Sequence, residues 1–127
     1  MTEVIRLQPA DRIDVDLDRL GSLMEELGRD AGAETMERTI RDLRADLYAL
    51  HQAHEERELD LVETLSLAIS NAACRIGLAS LASAACAVVS ACRSEDGVAI
   101  GATVARLGRI SQRSLNALED PEHLEGA

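Results

Sequence analysis

The fold is decided by one densely apolar segment, residues 59–89, with the sequence LDLVETLSLAISNAACRIGLASLASAACAVV. It lies within an otherwise strongly charged chain, contains a single glycine, Gly77, and lacks Phe and Trp. Ala and Leu are strong helix formers, and Gly in their midst marks a break. The segment therefore predicts the two inner helices of a helical domain, joined near Gly77.

Composition extends this prediction to the whole chain. Its 127 residues are enough for one domain, and they include a single Tyr and no Phe or Trp. Ala, Leu, Glu and Arg dominate, and alternating runs of strand-forming residues are missing. The fold class we predict is all-α.

The net charge and the hydropathy of the chain limit the kinds of partner that it can bind. The chain has 13 basic and 23 acidic residues and a formal net charge of −10. Such a chain repels nucleic acid and anionic membrane surfaces. Neither an N-terminal apolar segment nor an uninterrupted apolar run long enough to cross a bilayer occurs. We expect a cytoplasmic protein that binds neither nucleic acid nor membrane.

The first half of the chain is organised by apolar residues at three- and four-residue steps, a spacing typical of one face of a helix. A short leading helix is predicted over about Asp16–Leu27, followed by a turn at Arg29–Gly32. A charged amphipathic helix then extends to a turn within His54–Arg57, because an unbroken helix as far as Gly77 would be too long for a domain of this size.

The second half completes the bundle. Helices are predicted from about Glu58 to Ile76, from Gly77 to Arg93 and from Gly97 to Leu118, with the polar turn Ser94–Gly97 supplying an N-cap. Four substantial helices with short turns predict an up-and-down antiparallel four-helix bundle over residues 14–119. Residues 1–13 form an N-terminal arm, and residues 120–127 are expected to be a disordered acidic tail. The positions predicted to face the core include Leu59, Val62, Leu65 or Ser66, Ile69, Ala73, Ile76, Leu81, Ala84, Ala85, Val88, Val89, Val98, Val104, Leu107 and Leu115.

Reactive groups are few. Cys74, Cys86 and Cys92 form no C-x-x-C pair, and their Ala-rich surroundings indicate small buried hydrophobic residues. His51 and His54 have a spacing that suits two metal ligands on a helix, but no third ligand accompanies them, and His54 continues the apolar stripe at the edge of the core. We therefore predict no metal site and no cofactor.

The order of helices and one motif resemble the bacterial histidine-containing phosphotransfer (HPt) domains, four-helix bundles that carry phosphate between receiver domains. The resemblance covers about residues 14–118 and is strongest over Ala68–Cys86. The family motif has a histidine, Lys and Gly three and four positions later, small residues, an apolar-Gly step, and a Leu four positions beyond. Here the small residues are Ala72 and Ala73, the apolar-Gly step is Ile76-Gly77, and the final leucine is Leu81.

The active positions of the motif are changed. Counted back from Gly77, the histidine position is Leu67, the lysine position is Ser70 and the glycine position is Asn71. Leu67 has no nucleophilic nitrogen and cannot accept a phosphoryl group. Because Leu67 is off the predicted core face, we expect it to be at least partly exposed, either as a single harmless apolar residue or as an anchor for a partner.

The resemblance implies a non-catalytic signalling protein that binds a receiver or histidine-kinase domain of a two-component phosphorelay. The expected contacts are Leu61, Ser66, Leu67, Ser70 and Asn71. Two alternatives stay open: an active phosphotransfer protein that uses His54 as a displaced phosphoacceptor, and an unrelated homodimeric helical module.

Overall fold

The computed structural model describes residues 28–119, preceded by six positions: Asp16, Asp18, Arg19, Gly21, Ser22 and Glu25. Its long helices are α1 (Arg29–Glu55), α2 (Leu59–Arg75), α3 (Ala79–Ser94) and α4 (Gly97–Glu119). Over the described residues there is no β-strand, so the all-α prediction is confirmed. None of these helices is both long and apolar enough to cross a membrane.

Consecutive helices pack side by side as an up-and-down bundle. The α2–α3 pair is antiparallel: Glu63 pairs with Arg93 at 2.9 Å, and Ser70 contacts Cys86 at 3.1 Å. An ion pair between Arg44 and Glu119 joins α1 to α4. All four helices contribute to one apolar core, whose fully buried large side chains include Leu43, Leu50, Val62, Ile69, Leu78, Leu81, Val88, Leu107, Ile110 and Leu115.

The three turns between the long helices fall where the sequence places them. The turn after α1 follows Glu55, and Arg57 adopts a left-handed φ of 61° there. Gly77, with φ of 81°, lies between α2 and α3. In the third turn Asp96 caps α4, since its carboxylate accepts hydrogen bonds from the backbone N–H of Val98 at 3.1 Å and of Ala99 at 3.2 Å.

The α2–α3 turn also holds the segment that precedes the bundle. The backbone N–H of Asp16 donates to the carbonyl of Gly77, and the Asp16 carboxylate accepts from the N–H of Arg19 at 3.0 Å. Arg19 Nε in turn donates to the carbonyl of Arg75 at 3.0 Å, at the end of α2 where a cation is favoured by the helix dipole. The described positions between 18 and 25 are helical.

One boundary was predicted wrongly. Arg29–Gly32 is the first turn of α1 and not a loop, because the Gly32 N–H already donates to the Gly28 carbonyl at 2.8 Å. Gly28 alone makes the break, with φ of 82°. The predicted arm at 1–13, the tail at 120–127 and the apolar positions of the leading helix lie outside the described residues.

Two predicted core positions are wrong as well. Val98 is 84 % exposed and Leu59 is 41 % exposed. Leu59 is the first residue of α2, and Val98 lies two residues before the buried Ile100, about 160° away around the axis of α4. The open choice between Leu65 and Ser66 is resolved in favour of Ser66, which is fully buried, while Leu65 is half-buried at the edge of the core.

The Asp96 cap gives a first prediction. Asp96→Ala should lower the free energy of unfolding by about 1 kcal/mol, because two N–H groups at the start of α4 lose their side-chain acceptor. Urea unfolding followed by circular dichroism measures this. Glu95→Ala, at the exposed neighbour that keeps its left-handed φ of 57°, is the control and should change stability little. Equal losses of stability in both variants would show that the loss in Asp96→Ala does not come from the helix cap.

Candidate partner-binding site on helix α2

Leu67 is an exposed apolar residue in the middle of α2. Its side chain is 45 % exposed, although the helix buries Val62, Ile69 and Ala73 on its opposite side. Asn71 is exposed one turn further along, four residues away and therefore on the same face. The expected exposure of Leu67 is confirmed, and Leu67 and Asn71 form one surface.

Leu61 is exposed but lies elsewhere on the helix. Its side chain is 43 % exposed, nearly the same as that of Leu67. Six residues separate the two leucines, which at 3.6 residues per turn places them about 120° apart around the axis. Leu61 therefore does not extend the surface that Leu67 and Asn71 share.

Ser66 and Ser70 face the interior, which corrects their predicted role as surface contacts. Ser66 is fully buried, and only 7 % of Ser70 is exposed. Ser70 Oγ lies 3.1 Å from Cys86 Sγ, in hydrogen-bond contact across the α2–α3 interface. Small side chains let two helices approach closely, so a serine fits here where a larger polar residue would not. Neither serine can reach a partner.

The buried hydroxyl of Ser66 gives a second prediction. Its Oγ has no hydrogen-bond partner among the described residues. Removing an unsatisfied buried hydroxyl is favourable, so Ser66→Ala should raise the free energy of unfolding by about 1 kcal/mol. Ser70→Ala should raise the free energy of unfolding by less, because it also removes the contact with Cys86. Chemical denaturation of both variants tests this; a loss of stability in Ser66→Ala would contradict it.

Apart from the Glu63–Arg93 ion pair one turn away, the parts of α2 and α3 near Leu67 contain no charged residue. No Asp, Glu, Lys or Arg occurs at residues 64–74 of α2 or at residues 76–92, which include most of α3. Along α2, Leu67 lies between the Glu63–Arg93 and Ser70–Cys86 contacts with α3. Partner side chains could approach here without desolvating a fixed charge.

Two cations border this surface at the end of α2. Arg19, Asn71, Cys74 and Arg75 line an open groove. Arg75 is four residues beyond Asn71, and Arg19 is held there by its bond to the Arg75 carbonyl. The lysine that the family motif would place at position 70 is absent, but two guanidinium groups lie one turn away. The sequence-based interpretation missed Arg19, whose contact is 56 residues distant along the chain.

The histidines lie apart from this surface. His51 Nδ1 is 2.8 Å from the Leu47 carbonyl, and its ring packs where a Cβ on Gly108 would come within 3.1 Å of Nε2. His54 is half-buried in the last turn of α1 and lines a cleft with Arg57, Leu59, Gly97 and Ile100. Leu67 is eight residues into α2, about 12 Å along the axis from that end. Within the part of the chain that the structure describes, no three His, Cys, Asp or Glu side chains are grouped as a metal site would require.

The cysteines differ from their predicted burial. Cys74 and Cys86 are exposed, although Cys86 also contacts Ser70 across the α2–α3 interface, and Cys92 is partly buried. Burial, and to a smaller extent the negative charge of Glu63, raise the pKa of the Cys92 thiol. A raised pKa keeps the thiol protonated at neutral pH, so Cys92 is a poor nucleophile.

Comparison of the chain with protein-family models, with curated protein sequences and with solved structures finds no match. The likeness to HPt domains therefore depends on the motif positions around Gly77 and on the order of the helices. Of the motif's packing positions, Ala73, Ile76 and Leu81 are core residues, each at most 2 % exposed, and Ala72 is partly buried against the core.

Proposed function

We propose that the protein is a non-catalytic, HPt-like signalling protein that binds a receiver or histidine-kinase domain through the α2 surface around Leu67. The observation that carries the proposal is the exposure of Leu67 at the position that corresponds to the family's phosphorylated histidine. An exposed leucine within an uncharged surface is a suitable anchor for a partner. Partners of this class would make the protein cytoplasmic.

The charges at the edge of the surface support a receiver as the partner. The resemblance implies docking against a receiver's active-site aspartate, and acidic groups there would be attracted to the Arg19 and Arg75 guanidinium groups. The chain as a whole is strongly acidic, and Asp16 and Asp18 lie beside these cations, so this attraction would be local to the two guanidinium groups. Leu67 would supply apolar burial, and the two arginines would orient the complex.

Binding measurements on matched variants test the proposal. Wild-type protein is titrated calorimetrically with a panel of purified response-regulator receiver domains from the source organism. For a receiver that binds, Leu67→Asp should weaken binding roughly tenfold to a hundredfold, because a central apolar anchor becomes a charge. Leu61→Asp changes an equally exposed leucine on another face and should leave the affinity within about twofold. Equal losses in the two variants, or binding by none of the panel, would contradict the proposal.

A phosphotransfer assay distinguishes this function from the displaced-histidine alternative. Wild-type protein incubated with a phosphorylated receiver should acquire no acid-labile phosphate, since position 67 has no nucleophilic nitrogen. His54 is the alternative acceptor, in the cleft at the far end of α1. Labelling of the wild type that disappears in His54→Ala would overturn the non-catalytic proposal and favour an active phosphotransfer protein.

A further inference from the structure

The solvent-facing side of α2 has a self-complementary order of residues. Its exposed positions recur at three- and four-residue steps and therefore share one face. In chain order they are Asp60, Thr64, Leu67, Ala68, Asn71 and Arg75, all of them exposed. The face begins with an acid, continues through a polar and two apolar residues to a second polar residue, and ends with a base.

When the same face of a second copy is turned end to end and laid against this one, each group meets a suitable partner. Asp60 and Arg75 are equidistant from the midpoint between Leu67 and Ala68, and so are Thr64 and Asn71. A second α2 running antiparallel across that midpoint would bring Asp60 of each copy opposite Arg75 of the other copy. It would also bring polar beside polar and apolar beside apolar.

We propose that two copies of the chain associate through this α2 face, with antiparallel α2 helices related by a twofold axis between Leu67 and Ala68. An isologous interface of this kind forms every contact twice. Two ion pairs between Asp60 and Arg75 flank the axis, and the two Leu67 side chains bury each other beside it. The occupant of the face is a second copy because the order of charges on α2 is complementary to its own reverse.

The charge at the two ends of the bundle fixes the direction of pairing. The α1–α2 turn lies beside the start of α4, since Glu55 and Leu59 line one cleft with Gly97. That end carries seven acidic residues and two basic ones, for a formal charge of −5; they are Glu55, Glu56, Arg57, Glu58, Asp60, Glu63, Arg93, Glu95 and Asp96.

At the other end of α2 itself, the bases Arg19 and Arg75 are accompanied by the acids Asp16 and Asp18, so this local group of four has no net charge. Parallel helices would place the two acidic ends together and would be opposed by like-charge repulsion. Antiparallel helices place each acidic end against a neutral end that presents Arg75.

The dimer would cover the surface that the proposed function assigns to a receiver, because both use Leu67 and Asn71. The two associations would therefore compete, and the dimer does not require that a receiver binds. One helix face from each copy is smaller than a standard interface of about 1,600 Å², so the dimer should be weak and in exchange with monomer.

Sedimentation velocity over a concentration series, under reducing conditions, tests the dimer. The wild type should shift from monomer to dimer with a dissociation constant below roughly 1 mM. Asp60→Arg and Arg75→Asp should each raise that constant about tenfold, because each creates two like-charge pairs. The double variant exchanges the charges and should return to within about threefold of the wild type, because opposite charges again face each other.

Controls separate this result from general effects of charge. Glu37→Arg makes the same change of charge on the exposed outer face of α1 and should leave the dissociation constant within about twofold. Thermal unfolding by circular dichroism checks that each variant folds. A wild type that stays monomeric up to roughly 1 mM, or a double variant no tighter than the single variants, overturns the dimer. The receiver titration is carried out at protein concentrations well below the dimer dissociation constant, where competition is negligible, so the dimer and the proposed function can fail separately.

Discussion

Gly77→Ala should be strongly destabilising, lowering the free energy of unfolding by about 2–4 kcal/mol. Gly77 has φ of 81°, a conformation that costs an L-residue about 1–2 kcal/mol. A Cβ there would also lie 2.6 Å from the Asp16 carbonyl oxygen and 3.3 Å from Asp16 Cβ, so the backbone that packs on the turn must move. The first contact is with backbone, which cannot rotate away as a flexible side chain could.

Gly28→Ala is the matched control for this effect. Gly28 has nearly the same dihedral, φ of 82°, but nothing lies within 4 Å of its ideal Cβ. Gly28→Ala should lower the free energy of unfolding only by the cost of the left-handed backbone conformation, about 1–2 kcal/mol. Urea denaturation of the two variants measures the difference. Equal losses would show that the segment containing Asp16 does not pack against Gly77 in solution.

Leu67→His should convert a protein that accepts no phosphate into one that does. The substitution places an imidazole at an exposed position, at the site where the resemblance puts the family's phosphorylated histidine. A phosphoryl group could then pass from a receiver's aspartyl phosphate to an imidazole nitrogen. Arg75 and Arg19, a little over two turns along α2, would attract the phosphorylated group from a distance. Acid-labile labelling should rise from undetectable to readily detectable with a receiver that binds the wild type.

Leu61→His is the control, since it adds an imidazole with similar exposure about 120° around the helix. It should remain unlabelled. Labelling of both variants would show that any exposed histidine on α2 is sufficient, and labelling of neither would show that a bound receiver does not direct its active site toward position 67.

The sequence predicts much of the fold because its signals are local. Gly77 and Asp96 mark turns by their own backbone and capping chemistry, and the observed ends of α2, α3 and α4 lie within about two residues of the predicted ones. The wrong prediction of a turn at Arg29–Gly32 also comes from reading local sequence signals. Gly28 is sufficient to end the preceding segment, so the polar residues and second glycine after it are free to begin α1.

The candidate site was less predictable because side-chain burial depends on neighbouring helices. Ser66 and Ser70 are polar by type, but the close approach of α2 and α3 encloses them. Leu67 is the exception, because its position off the apolar stripe of α2 already predicts its exposure. The contribution of Arg19 depends on a contact between distant parts of the chain, which local periodicity does not reveal.

The most direct test of the central claim is to map where a receiver binds. Isotope-labelled protein is titrated with a receiver from the panel while amide chemical shifts are recorded. The proposed function predicts that the largest changes occur along the exposed face of α2, at Leu67, Asn71 and Arg75. Leu67→Asp should strongly reduce these changes at the same receiver concentration. Largest changes at the His54 cleft or on the outer face of α1, with those of α2 unaffected, would contradict it.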